Sequence, residues 1–286
     1  MKKQDINIRD PFILVEDGIY YMYGTRAANF GMETAGFDVY TSRDLESFSD
    51  PIPCCDTAAA GLNAGANWAP EVHKYRGAYY MFATFTREDC GMRGTFAFKA
   101  DSPRGPFLRH SDVLTPAAWE CLDGTLYISK EGKPYLVFCH EHTQIIDGTI
   151  DYVPLSDDLT HAVGEPVTLF RASEPFWADK TEPDVHRVTD APFFYRTKTD
   201  ELIMTWSTFV GGKYAVVAVR FADGDLSQNF THLDPVFLDD GGHAMIFEKL
   251  DGELCLTVHS PNKTPNERPI FLKVFEEDGA LISKEQ

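Results

Sequence analysis

A chain of 286 residues can fold as two ordinary domains or as one large all-β or α/β domain. Its formal net charge of −18 excludes nucleic-acid recognition by phosphate neutralisation and docking on anionic lipid. No apolar run reaches the length of a membrane span, while 43% hydrophobic and 13% aromatic residues supply a sizeable core and favour strands.

The N-terminal "MKKQDINIRDPF" has two lysines without an apolar stretch behind them, and the six cysteines form no C-x-x-C pair. These features read as reduced thiols in a cytoplasmic protein without an export signal. From there on, the strong signals are hairpins. "RDPFILVEDGIYYMYGT" comes first, then "WAPEVHKYRGAYYMFATF", "LDGTLYISKEGKPYLVFCH", "TDAPFFYRTKTDELIMTWST" and "GGHAMIFEKLDGELCLTVHS". Each is an apolar strand, a short turn bearing Gly or Asp, and a second apolar strand. Between them, "FDVYTSRDLESF" and "VPLSDDLT" read as outer strands closed by S-x-D-L turns.

Aligned on the turn, the leading polar residues are Asp10, Glu71, Asp123, Asp190 and His243. They recur at intervals of about 50 to 70 residues, the size of a four-stranded propeller blade with generous loops. An ionisable residue at one register in five units converges on one end of a central axis in a radial array. A sandwich of hairpins gives no such reason. The expectation is therefore an all-β, five-bladed β-propeller over residues 1–286, its ring closed by a strand from the last twenty residues.

Those five segments resemble glycoside hydrolase family 43. "RDPF" is similar to that family's D-P opening, "NWAPEV" to its second-blade W-A-P segment, "LDGTLYISKEGKPYLVF" to its third-blade aspartate segment, and "GGHAMIF" to its fifth-blade histidine segment. The resemblance implies inverting hydrolysis of arabinose- or xylose-containing oligosaccharides, with Asp10 as general base, Asp190 as general acid, and Asp123 setting the acid's pKa and position. It also implies a channel position for His243, with calcium beside it although no cofactor is required.

The chemistry asks for two carboxyl groups roughly 6.5–9.5 Å apart with opposite protonation, and a third carboxylate nearby can raise the acid's pKa by repulsion. Asp190 stands where the family usually has glutamate. Aspartate is one methylene shorter, on the order of 1.5 Å of reach. A misplacement of about 1 Å can cost roughly a hundredfold in rate. Glu141 in "CHEH" is the first substitute for the acid, followed by Glu182, Asp184 and Asp147; loss of the acid would leave a non-catalytic sugar-binding propeller. Trp68 and Glu71 are expected to line the pocket, and Glu141 to contact substrate. Trp206 reads as core. Adjacent residues of a strand alternate faces, so Cys139, His140, Glu141 and His142 are not expected to converge on zinc. The loop "SEPFWADKTEPD" (173–184) is placed to shape one side of the pocket.

Overall fold

In the computed structural model, residues 1–26, 36–62, 65–180 and 185–283 are described. Asp17–Gly18, Arg76–Gly77, Gly211–Gly212 and Asp278–Gly279 are two-residue turns with positive φ at both positions. That is the type I′ geometry whose twist matches the flanking strands. The S-x-D-L turns are also a repeated device. Ser42 Oγ accepts the N–H groups of Asp44 and Leu45, Ser156 Oγ accepts that of Thr160, and Leu45 and Leu159 both adopt positive φ with buried side chains.

The strands form five four-stranded antiparallel sheets, each from consecutive strands. The first blade comprises β1 (Ile8–Glu16), β2 (Ile19–Arg26), β3 (Phe37–Ser42) and β4 (Ile52–Cys55). The second has β5 (Asn67–Tyr75), β6 (Ala78–Thr86), β7 (Arg93–Ala100) and β8 (Leu108–Arg109). The third has β9 (Cys121–Ile128), β10 (Pro134–His140), β11 (Thr149–Pro154) and β12 (Val167–Arg171). A one-turn helix, α1 (His142–Ile145), lies between β10 and β11. The fourth has β13 (Asp190–Arg196), β14 (Leu202–Val210), β15 (Lys213–Phe221) and β16 (Phe230–His232). The fifth has β17 (Gly242–Glu248), β18 (Leu254–Ser260), β19 (Arg268–Glu277) and β20 (Ala280–Ser283). This is a five-bladed β-propeller. Among the described residues no helix is long and apolar enough to cross a membrane.

The core lies between blades. One apolar cluster joins blades five, one and two, and three others fill the two–three, three–four and four–five interfaces. Trp206 is fully buried against Phe170 and Trp177, which makes it a core residue. Among the described residues no strand is shared to close the ring; Arg268–Glu277 and Ala280–Ser283 are instead the two outer strands of the fifth blade. Closure comes from packing of β1 on β17 and from hydrogen bonds across the gap. Asn7 donates to Pro265 O and Glu267 O, Arg9 pairs with Glu267, and Arg268 donates to Gln4 O.

Every inner strand carries a β-bulge near its start, and the bulges correct the expected alignment. The first bulge residue is Asp10, Ala69, Asp123, Ala191 and His243 in blades one to five, each with φ close to +50°. Asp190 therefore stands one residue before the bulge, level with Arg9, Trp68, Leu122 and Gly242, and Glu71 stands directly after it. Taking the leading polar residue of each unit hid this, because the first bulge residue is alanine in blades two and four.

The bulge N–H groups are held by the neighbouring blade. The second-strand residues facing the pre-bulge positions are Thr25, Thr84, Cys139, Ser207 and His259. Thr25 accepts from Ala69 N, Thr84 from Asp123 N, Ser207 from His243 N and His259 from Asp10 N. Blade three has Cys139 in this seat, and a thiol is a weak acceptor. There, Ala191 N turns to the Asp123 carboxylate at 3.1 Å. A buried N–H without a partner is costly, so the belt both links the blades and fixes the axial residues.

Candidate active site

The belt delivers Asp10, Asp123 and His243 from three blades to one end of the axis. His243 Nδ1 lies 3.2 Å from Asp10 Oδ1 and 3.8 Å from Asp123 Oδ2, and all three residues are at least nine-tenths buried. Thr25 donates to Asp10 Oδ2 at 2.6 Å while it accepts from Ala69. His259 Nδ1 sits 3.4 Å from Asp10 Oδ1. Above this group opens a cavity of about 240 Å³ whose walls include the pre-bulge residues Arg9, Trp68, Leu122 and Asp190. A smaller cavity of about 160 Å³ adjoins it and shares Val188 and Phe209.

The three carboxyl groups differ in ionisation. Burial opposes charge on Asp10, but the facing His243, the adjacent His259 and the Arg9 guanidinium hold its pKa well below the usual carboxylate range. Burial pushes Asp190 up to about 7, and the charges of Glu141 and Asp10 add to it; a hydrogen bond from Tyr214 and the charge of Arg9 act in the opposite sense. Burial also raises Asp123 well above its ordinary value, helped by Asp190 and Asp10 and opposed by the bond from Ala191 N. His243 is lowered by burial, against the pull of Asp10, and is neutral near pH 7. Its position suits a donor from Nδ1 to Asp10.

Trp68 lines the cavity, with the Arg93 guanidinium 5.1 Å from its ring centroid. Glu141 lines it too, but as an ion-pair partner. Its Oε2 accepts from Arg93 at 2.8 Å and from Thr143 at 3.0 Å. Glu71 is not on the cavity wall; it is buried directly after the bulge and paired with His73 at 3.0 Å. Asp147 is also away from the cavity, where it accepts from Ser173 Oγ and N. Glu182 and Asp184, with the end of the 173–184 loop, lie outside the described residues.

The "CHEH" residues diverge. Cys139 is buried in the blade, and His140 stacks flat on Trp119 with its Nε2 on Gln144. His142, on α1, meets His186 at 3.2 Å at the cavity mouth. Among the described residues no three acids, histidines or cysteines gather to hold a metal.

The sequence reading missed Arg93, Tyr214 and His259. Tyr214 donates to Asp190 Oδ2 at 2.9 Å and stacks on His259. Arg93 and Tyr214 are the first and second residues of the third strands β7 and β15, positions that the hairpin alignment never sampled. His259 lies within the quoted fifth-blade segment, where its second-strand position gave it no axial register.

A five-bladed propeller gathering three carboxyl groups of opposed ionisation in one cavity has the architecture of a carbohydrate-cleaving hydrolase. The sequence model of Glycosyl hydrolases family 43 matches residues 5–279, and the chain belongs to that family. It is an O-glycosidase. Among solved structures it is similar to the endo-arabinase of Bacteroides thetaiotaomicron VPI-5482, at 37% identity over 98% of each chain with a TM-score of 0.87. A thermostable family-43 glycoside hydrolase (23% identity, 98% and 93% covered, TM-score 0.85) and the α-L-arabinofuranosidase of Lactobacillus brevis (18%, 99% and 97%, 0.75) share the fold. No curated protein sequence matches the chain.

Proposed function

We propose that the protein hydrolyses arabinose-containing oligosaccharides with inversion at the anomeric carbon. The observation that carries this is the opposed ionisation of Asp10 and Asp190 across one cavity. Asp10, held ionised, takes a proton from the attacking water; Asp190, protonated near neutral pH, gives one to the leaving oxygen. Asp123, whose pKa burial raises, fixes the backbone that leaves Asp190 by accepting from Ala191 N. Choice of arabinose over xylose rests on the likeness to the endo-arabinase. Trp68 offers a ring for the sugar face, stiffened by Arg93.

A sugar-binding propeller that has lost its acid is disfavoured, because a carboxyl group raised to about 7 stands on the cavity wall. Calcium prefers oxygen donors. The buried His243 Nε2, which has no hydrogen-bond partner, offers an ion contact only through water. The hydrolysis is accordingly proposed without a required cofactor, and activity retained in EDTA is expected. Incubation with arabino-oligosaccharides, aryl arabinofuranosides and aryl xylosides, followed by proton NMR of the first-formed anomer, tests the whole reading. Inverted arabinose is expected; binding without turnover, or turnover of the xylosides alone, would overturn it.

A further inference from the structure

Tyr214 occupies a seat built for it. Its ring stacks on His259 at 5.6 Å and 25°, and lies against Phe209 at 5.4 Å. On the remaining side, a Cβ on Gly242 would stand 2.4 Å from Tyr214 Cε1, so only glycine leaves room for the ring. The hydroxyl reaches the cavity and donates to Asp190 Oδ2 at 2.9 Å. Burial and the charges of Asp190, Asp10 and Asp123 push the phenol well above its ordinary pKa, so it keeps its proton and stays a donor.

We propose that Tyr214 is a positioning residue for the acid, orienting the short Asp190 side chain so that its proton sits on Oδ1 and faces the leaving oxygen. This rests on Asp190 being the acid, and it explains how aspartate serves in that place. With Oδ2 accepting from the phenol, the protonated carboxyl group carries its hydrogen on Oδ1. In the reaction, Oδ1–H passes to the glycosidic oxygen as the C1–O bond breaks and its electron pair moves to that oxygen. Water attacks C1 and yields its proton to Asp10. Asp190 is left as a carboxylate, the form to which the Tyr214 hydrogen bond is strongest. His259, which contacts Asp10 at 3.2 and 3.4 Å, packs on the same ring, so one aromatic pair braces both carboxyl groups.

The other groups facing Asp190 are Glu141, Asp10, Asp123 and Arg9, with Cys139 beneath and His142 on the cavity wall. All remain in Tyr214→Phe, which keeps the ring and deletes only the hydroxyl. The alkaline limb of kcat/KM, which follows protonated acid, is expected to move to higher pH, since a bond to the ionised form is lost. Turnover of arabino-oligosaccharide should fall by about tenfold, and that of a dinitrophenyl arabinofuranoside, which needs little acid assistance, much less. Replacing Tyr214 with 3,5-difluorotyrosine, the same shape with a stronger donor, should move the limb to lower pH. A limb that stays put in both, or an equal loss on both substrates, would overturn the proposal even if stability changes. Asp190→Asn tests the underlying reading separately, by selective loss on the oligosaccharide. If neither sugar is cleaved by the unaltered protein, carbon-13 NMR titration of Asp190 reads the same shifts without substrate; no difference between the unaltered protein and Tyr214→Phe sinks the idea.

Discussion

Blades one and four start alike and end in opposite chemistry. Each inner strand opens on a bulge with proline at its second position, Asp10–Pro11 in one and Ala191–Pro192 in the other, and φ at the first bulge residue is +54° and +52°. The difference is one residue of register. In blade one the acid is the bulge residue and points to the axis, where His243, His259 and Thr25 surround it. In blade four the acid precedes the bulge, stands on the cavity wall and meets a neutral phenol and the charge of Glu141. The same backbone device thus gives a low carboxylate and a high carboxylic acid, because the groups around the first favour the anion and the charge of Glu141 opposes it at the second.

The comparison breaks most visibly under amide substitution. Asp10→Asn should lower kcat/KM by about 10³-fold on every substrate, since activation of water is always needed. Asp190→Asn should match that loss on arabino-oligosaccharides and fall well short of it on dinitrophenyl glycosides. Parallel kinetics on the two substrates check this, and equal losses for both variants would erase the proposed distinction between the blades.

Next in size is the support beneath Asp10. His259→Gln removes a group that lowers Asp10, so the folded pKa should rise and the acidic limb of kcat/KM should move to higher pH, with the alkaline limb little changed. The sign follows from linkage: Asp10 works only when ionised, so raising its pKa forfeits activity from the acid side inward. A pH-rate profile with both limbs unmoved would show that His259 only fills space.

The smallest effect expected is in the seat between the two. Gly242→Ala forces a Cβ against Tyr214, which the fifth inner strand and the His259 stack leave little room to relieve. A cost of about 1–3 kcal/mol in urea unfolding is expected, as for other overpacked sites. The alkaline limb should rise with it, as in Tyr214→Phe. Unchanged stability would mean that the ring has slack and that blade five does not brace blade four.

Much of this molecule was legible in the residues. Hairpins betray themselves through turn chemistry: Asp17–Gly18 and Arg76–Gly77 need positive φ twice over, and the apolar strands around them could only be buried. Five such units at blade-sized intervals fixed the propeller, and the acids ahead of their strands pointed to the axial end that holds the cavity. The register of those acids was not legible. Asp190 and Glu71 were aligned with Asp10 as the leading polar residues of their units, yet a bulge inserts a residue without leaving a mark in composition, and in those two blades its first residue is alanine. Glu71 fell directly after it and off the cavity wall, beside His73.

By itself, then, the sequence determined the strands, the blades and the presence of acids near one end of the axis, because turn propensity and apolar patterning act within a few residues. Only the tertiary structure decided which acid is ionised and which carries a proton. That depends on groups brought in from elsewhere along the chain: His243 and His259 from blade five to Asp10, Tyr214 from the third strand of the same blade and Glu141 from blade three to Asp190, Arg93 from blade two to Glu141. Those partners lie tens to hundreds of residues away along the chain, and strand pairing within a blade, packing between neighbouring blades and closure of the ring set them a few ångströms apart.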